Sequence, residues 1–324
     1  MSGSLAEGPA NTPATDLASG RTRLSEVSAS MHCPACHAPT VASRRYVVTE
    51  YMFDTGEAFH YEPCGGCDSR IIADPPADLA RYYPRSYMGG NGRRDALLRV
   101  LRRLGMDARV RALARLRAAP DDRVLDVGCG SGDFLRLLAA RGFRDLTGVD
   151  PFLPFDSRAD GPCRFIKGQL ADLRGELFGV VTLHHVIEHA PDTRAFLADA
   201  AAVLAPGGRL LVRTPLVDSW AALQYGARWF QHDAPRHLVL LTSDGLVRAA
   251  AAAGLRLTES WRDEGRWQAW SGAVLAAGKN PFRHTGLATT IGRFRYSAAA
   301  RRRNRAGTGD QGCFVFTRAE VVPA

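Results

Sequence analysis

The chain has 324 residues, 46% hydrophobic and 23% charged, the composition of an ordinary folded globular protein long enough for about two domains. No run of about 18 apolar residues occurs, which argues against a helical membrane span. The formal charge of +9 is carried almost wholly by arginine, Lys167 and Lys279 being the lysines, and is concentrated in residues 93–117 and 283–305. Such segments can form a surface for phosphate, nucleic acid or an anionic membrane. Solvated helix faces and a mobile loop account for the same pattern, and this plainer reading is preferred.

Residues 1–30 are rich in Ala, Ser, Thr, Gly and Pro and lack the apolar core of a secretory signal, so a disordered tail and a cytoplasmic protein are expected. Residues 31–81 form a cysteine-rich module. Cys33-x2-Cys36 and Cys64-x2-Cys67, 27 residues apart, have the spacing of two zinc knuckles. Each two-residue gap lets both thiolates of a pair face one ion, and four thiolates close a tetrahedral, structural site. A redox pair, or His37 or His60 in place of one thiolate, are the competing readings. Between the pairs, Tyr46, Val47, Val48, Tyr51, Phe53 and Phe59 predict a β-hairpin over 44–61 turning at Asp54-Thr55-Gly56.

Residues 82–120 read as a Gly-rich link followed by apolar positions at helical spacing, Leu97 to Leu116, split into two helices at Gly105. From 121 to 324 strands and helices alternate. Strands are expected at 124–127, 146–150, 163–167, 179–183, 209–214, 255–260 and 313–317, with helices at 133–140 and 243–253. This order implies an α/β fold, a mostly parallel sheet covered by helices on both faces.

Leu125-Asp126-Val127-Gly128-Cys129-Gly130-Ser131-Gly132 falls where the first of these strands enters its helix. Glycines there permit a tight turn and a close approach of ligand to backbone. The dinucleotide fingerprint G-x-G-x-x-G fails, because Asp133 takes the place of its last glycine. Asp150 ends the second strand, where a carboxylate can accept hydrogen bonds from both hydroxyls of an adenosine ribose.

Together with Thr182-Leu-His-His-Val-Ile-Glu-His189 and Leu204-Ala-Pro-Gly-Gly-Arg-Leu210, this loop resembles the motifs of class I S-adenosylmethionine-dependent methyltransferases over residues 124–318. The resemblance implies a Rossmann-like seven-stranded sheet, its last strand antiparallel, behind a small N-terminal zinc-ribbon module. It also implies that Asp126, Gly128, Gly130 and Gly132 surround the methionine part of S-adenosylmethionine, Asp150 the ribose, Gln169 and Leu170 the adenine, and His184 the methionine end. Gln169 stands where the family often has Asp, and Phe178-Gly179 where it has Phe-Asp. Some deoxysugar and polysaccharide methyltransferases are similar in carrying a zinc module ahead of the catalytic domain, as are some ribosomal RNA guanine methyltransferases.

His185, Glu188 and His189 lie at i, i+3 and i+4, one face of a helical turn. Three roles stay open: packing around the cofactor, a general base with His185 as the candidate, and a second, divalent metal. The last follows a resemblance to ubiquinone-pathway O-methyltransferases and small-RNA 2′-O-methyltransferases, which carry Glu-x-x-Glu-His. A His in place of the first Glu shifts preference from magnesium toward zinc or iron, and His237 is placed to supply a fourth ligand. Trp220, Tyr225, Trp229 and Phe230, then Trp267 and Trp270, are candidates for the acceptor pocket, with His232 and Arg236 holding an anionic acceptor. The reading is a methyltransferase acting on a small molecule, sugar nucleotide or glycan precursor, most simply at oxygen. An RNA methyltransferase gripping RNA through the zinc module and arginines is the alternative, and a non-catalytic cofactor-binding protein the third. The acceptor atom and the oligomeric state are not legible.

Overall fold

A computed structural model describes residues 31–83, 108–281, 283 and 295–319. The expected tail, the helical segment up to residue 107 with its split at Gly105, and residues 284–294 of the second basic stretch lie outside the described residues.

The N-terminal module is built on the hairpin β1 (Tyr46–Thr49) and β2 (Ala58–Pro63), paired from Tyr46 opposite Tyr61 to Thr49 opposite Ala58. Its turn follows the expected residues, with Asp54 and Gly56 at φ 54° and 71°. The Glu50 carboxylate organises it by accepting the backbone N–H groups of Phe53 and Thr55. Strand β3 (Arg70–Ile72) pairs antiparallel with β2.

Helix α1 (Ala108–Arg115) precedes the main sheet and buries Ala112 and Leu113. The sheet comprises β4 (Arg123–Val127), β5 (Asp145–Val149), β6 (Ser157–Asp160), β7 (Cys163–Ile166), β8 (Phe178–His184), β9 (Leu204–Pro215), β11 (Leu255–Arg262) and β12 (Gln311–Arg318). The two-residue strand β10 (Val239–Leu240) leaves this sheet and pairs with β3 as the fourth strand of the module's sheet. The order in the main sheet is β11-β12-β9-β8-β4-β5-β7-β6. Strands β9, β8, β4, β5 and β7 are mutually parallel, and β12 runs antiparallel to both its neighbours. The seven expected strands are therefore present. An eighth, β6, adds antiparallel to the edge beside β7, and its four residues are all exposed.

The central strands are apolar on both faces because both are covered. Leu125 and Val127 of β4 join one buried cluster, while Val124 joins the other with Phe134, Leu135 and Leu138 of α2 (Asp133–Ala139). The remaining helices start at side-chain caps where the sequence offers them. Asp192 accepts two backbone N–H groups ahead of α3 (Thr193–Ala202), Ser219 one ahead of α4 (Trp220–Tyr225), and Thr242 one ahead of α5 (Ser243–Ala252). Each such cap stabilises its helix by about 1 kcal/mol. Helices α6 (Arg266–Ala276) and α7 (Arg295–Arg305) pack together beyond β11. The module shares the first core rather than owning one: Val48, Phe59, Tyr61 and Ile71 belong to the same buried cluster as Leu183, Ile187, Val239 and Leu246. Among the described residues, no helix is long and apolar enough to cross a membrane.

Candidate functional site

The glycine loop turns at the C-terminal end of β4. Gly128, Gly130 and Gly132 all have positive φ (67°, 53° and 77°), a conformation that glycine adopts without strain. The three glycines differ in what surrounds them. A Cβ on Gly128 would fall 2.6 Å from Val186 Cγ2, and one on Gly132 2.3 Å from Phe165 Cε1, whereas one on Gly130 would meet nothing within 4 Å. The first and last are thus required by packing, and the middle one faces open space. Asp150 stands at the end of β5 with its carboxylate anchored by backbone: Gly130 N–H donates to Oδ2 (2.9 Å) and Phe152 N–H to Oδ1 (2.8 Å). Each oxygen keeps a lone pair. Asp126 is buried and accepts the Thr182 hydroxyl (2.8 Å) from the neighbouring strand. His184 ends β8 and meets the Phe134 ring edge to face, with centroids 5.1 Å apart. Gln169 is exposed, its N–H donating to Asp172, while the Leu170 side chain is buried in the core.

The segment after β8 does not continue as a helix. His185 takes φ 57° and Val186 φ −129°, and only Ile187–His189 form a short 3₁₀ turn. The spacing i, i+3, i+4 therefore does not put three ligands on one face. His185 turns aside: its Nδ1 lies 3.1 Å from Glu188 Oε1, and its Nε2 accepts from Arg213 Nη1 (2.9 Å), whose Nε donates to Asp263 (2.7 Å). Arginine only donates, so Nε2 carries the lone pair and Nδ1 the proton given to Glu188. Both nitrogens are engaged, Nδ1 with Glu188 and Nε2 with Arg213, so His185 stands apart from the ligands that converge.

The ligand set that does converge is Glu188, His189 and His237, with ligand atoms all within 4.8 Å of one another. His189 Nδ1 faces the Arg236 carbonyl (2.8 Å) and His237 Nδ1 the Gln231 carbonyl (2.7 Å). Carbonyls only accept, so both imidazoles carry their proton on Nδ1 and present an Nε2 lone pair, the orientation seen in metal-ligating histidines. Glu188 is completely buried and also accepts the Thr214 hydroxyl (3.0 Å). Burial alone would raise its pKa, but the His185 hydrogen bond and the surrounding imidazoles hold it down at about 2. Burial, then the neighbouring His189, lower His237 to about 4. At neutral pH the centre therefore combines one carboxylate with a neutral His237 imidazole, a poor base but a ready ligand.

Tyr83, passed over in the sequence as part of a link, reaches the same place. Its hydroxyl lies 2.9 Å from His189 Nδ1, and its ring stacks on Phe152 (5.4 Å), two residues beyond Asp150. The backbone carbonyls of Gln231 and Arg236, and the Arg213–Asp263 pair, likewise touch these histidines and have no local sequence signal.

The four cysteines come together as two matched knuckles. Their sulfurs lie within 4.8 Å of one another, with Cys33–Cys67 at 3.7 Å and Cys36–Cys64 at 3.3 Å. In each knuckle the backbone closes identically: His37 N–H donates to Cys33 O and Asp68 N–H to Cys64 O, with His37 and Asp68 both at positive φ. Backbone N–H groups of Gly66 and Cys67 point at Cys64 Sγ (3.2 and 3.4 Å), as suits a thiolate. His60 instead pairs with Asp74 (2.7 Å).

Two expectations for the acceptor side are overturned. Arg236 is buried against the carboxylates of Asp233 (2.6 Å) and Glu50 (3.2 Å), and a buried guanidinium so committed cannot also bind an acceptor anion. His232 is buried between the Trp229 carbonyl (3.2 Å) and the Tyr46 hydroxyl (2.8 Å), and burial lowers its pKa to about 3, so it carries no charge. Trp229 is a core residue whose indole N–H donates to Asp310 (2.6 Å) rather than a wall of a pocket.

About half of the chain, residues 94–260, matches the family described as Methyltransferase domain. Among curated relatives, the ubiquinone biosynthesis O-methyltransferase of Azorhizobium caulinodans is 34% identical over 176 residues, covering 49% of this chain and 67% of that protein. The protein of the same name from Idiomarina loihiensis is 32% identical over 150 residues, covering 41% of this chain and 61% of that protein. The chain thus spans between 61% and 67% of the length of these two relatives. Among solved structures, a SAM-dependent methyltransferase from Archaeoglobus fulgidus aligns with 74% of this chain and 99% of its own, at 16% identity and a TM-score of 0.44.

Proposed function

Because this chain belongs to the methyltransferase-domain family, in its class I S-adenosylmethionine-dependent form, we propose that it transfers a methyl group to an oxygen of a small-molecule acceptor beside a divalent cation. The observation that carries this reading is the adjacency of two sites. Val186 packs directly on Gly128 of the glycine loop, and two residues later Glu188 begins the Glu188–His189–His237 ligand set. The names of the relatives support an oxygen acceptor.

In this reading Asp126, Gly128, Gly130 and Gly132 border the methionine part of the cofactor, with Gly130 leaving the room it needs. The free lone pairs of Asp150 take the ribose hydroxyls. Gln169 and Leu170 lie toward the adenine, and His184 toward the methionine end. The reaction is an in-line displacement at the sulfonium methyl, so the main work of these residues is alignment. Glu188, His189 and His237 fit a divalent cation by donor type, by tautomer and by the charge state of Glu188; two nitrogen donors beside one carboxylate favour zinc or iron over magnesium. Such a cation, when bound, acts as a Lewis acid that eases loss of a proton from an acceptor hydroxyl. His185 orients Glu188, and Thr214 holds its other oxygen. Cys33, Cys36, Cys64 and Cys67 fit a structural zinc.

The RNA reading is not favoured. The relatives are not named for RNA, and the module spends its sheet edge and several side chains on the chain's own residues 230–242. Binding without turnover has no support from the same names. Isothermal titration with S-adenosylmethionine and S-adenosylhomocysteine, with metal analysis of the purified chain, tests the proposal. Both nucleosides should bind, and two metal equivalents should be found when metal is supplied. Binding of neither nucleoside would remove the enzymatic reading.

A further inference from the structure

The four-cysteine module has no task in the reaction proposed above, yet its contacts are directed at the metal-ligand set. We propose that the module is the template of the Glu188–His189–His237 centre: folded around its own zinc, it fixes residues 230–242 and through them the position and tautomer of both imidazoles. This rests on the metal reading of that centre.

The connection can be followed atom by atom. The Thr242 hydroxyl donates to the carbonyl of Cys67 (2.7 Å), and the Thr242 N–H to Ser69 Oγ (3.1 Å), within the second knuckle. Upstream of Thr242, β10 pairs with β3, Leu240 opposite Arg70 and Val239 opposite Ile71. The next residue, Leu238, joins the two sites directly: its carbonyl accepts Ile72 N–H (3.0 Å) and its own N–H donates to the carbonyl of Glu188 (2.8 Å). The Tyr61 hydroxyl of β2 donates to the carbonyl of His237 (2.7 Å). The second knuckle is thereby tied to the neighbourhood of His237 by hydrogen bonds at Thr242, along β10, at Leu238 and at His237 itself.

This matters because residues 226–242 have little regular structure of their own, only 3₁₀ turns and a strand of two residues. A strand that short is stable only as part of a larger sheet, and β3 gives it one. The same segment supplies the carbonyls of Gln231 and Arg236 that hold both Nδ1 protons. If the segment shifts, His237 moves and both imidazoles lose the partners that turn Nε2 toward the ion. Partners of this kind typically change metal affinity about 10–100-fold.

The test is titration of cobalt(II), followed by its visible absorption, into full-length protein loaded with one zinc per chain. Wild type should take up one cobalt. Tyr61→Phe should weaken that uptake about tenfold and Tyr61→Phe/Thr242→Val about a hundredfold, both keeping one zinc and unchanged S-adenosylhomocysteine binding. Cys67→Ser should abolish cobalt uptake at the second site; should that variant not fold, the Tyr61 arm decides alone. Wild-type cobalt affinity in both Tyr61 variants would overturn the template role and leave the metal reading intact. No cobalt uptake by wild type would overturn the metal reading, and the template role with it.

Discussion

Replacing His185 with Asn separates a proton acceptor from a positioning group. Asn is the conservative choice because the residue sits at φ 57°, a region that Asn enters more readily than other non-glycine residues. The shorter amide cannot span the gap between Glu188 Oε1 and Arg213 Nη1 that the imidazole fills at 3.1 and 2.9 Å. One hydrogen bond to a buried carboxylate is therefore lost, worth about 1.5–3 kcal/mol. Without that bond Glu188 moves up from about 2 toward the protonated form that burial prefers. The same loss, expressed at the centre, corresponds to a metal affinity reduced about 10–150-fold. Cobalt(II) titration measures the first effect. Transfer of labelled methyl to a panel of small hydroxyl-bearing acceptors at increasing metal then reads whether turnover returns. The positioning role predicts weaker metal binding with kcat restored at saturation. A base would instead cost about 10²–10⁴ in kcat at every metal concentration and delete one limb of the pH profile. Unaltered cobalt affinity with an unrescued collapse of kcat would refute the positioning role.

The glycine loop offers a paired comparison. Gly130→Ala should fold with a stability loss of about 1–2 kcal/mol from its positive φ but bind S-adenosylhomocysteine weakly, whereas Gly132→Ala, driven into Phe165, should lower the melting temperature first. Equal melting temperatures would remove the distinction. Asp310 is raised to about 6 by burial and by the nearby Glu264 charge, against the pull of its hydrogen bonds from Trp229 and Gln231. Its contribution is therefore fully present below the ordinary value of 3.8 and lost as pH rises through about 6, a change of up to about 3 kcal/mol. The stability of wild type minus that of Asp310→Asn, from urea unfolding between about pH 4 and 7, should fall by that amount as pH rises; parallel curves would contradict it. Stripping zinc with a strong chelator should lower the melting temperature and expose four reactive thiols together, and thiols already reactive in untreated protein would argue against a closed zinc site.

What the sequence made legible was local. Glycines at a strand end, a carboxylate closing the next strand and apolar runs bounded by turns are each determined by residues close in sequence. They led to the main sheet, the hairpin and both cysteine knuckles. Strand β6 escaped because Ser157–Asp160 has no buried side chain and hence no alternation to read. The histidine segment misled for a different reason: reading His185, Glu188 and His189 as one face presumes a helix, and the left-handed backbone at His185 breaks that premise. The remaining groups act through backbone carbonyls or through pairings between distant segments, which leave no residue-type signature. Val239 and Leu240 read as ordinary buried residues until β3 pairs with them, and nothing in Gln231 or Arg236 announces that their carbonyls orient two imidazoles. Glu188, His189 and His237 were grouped from the sequence as ligand types, but the distances among them are decided by the fold. Leu238 supplies part of that placement, since its N–H donates to the Glu188 carbonyl and its carbonyl accepts Ile72 N–H, tying the residue next to His237 to Glu188 on one side and to β3 on the other.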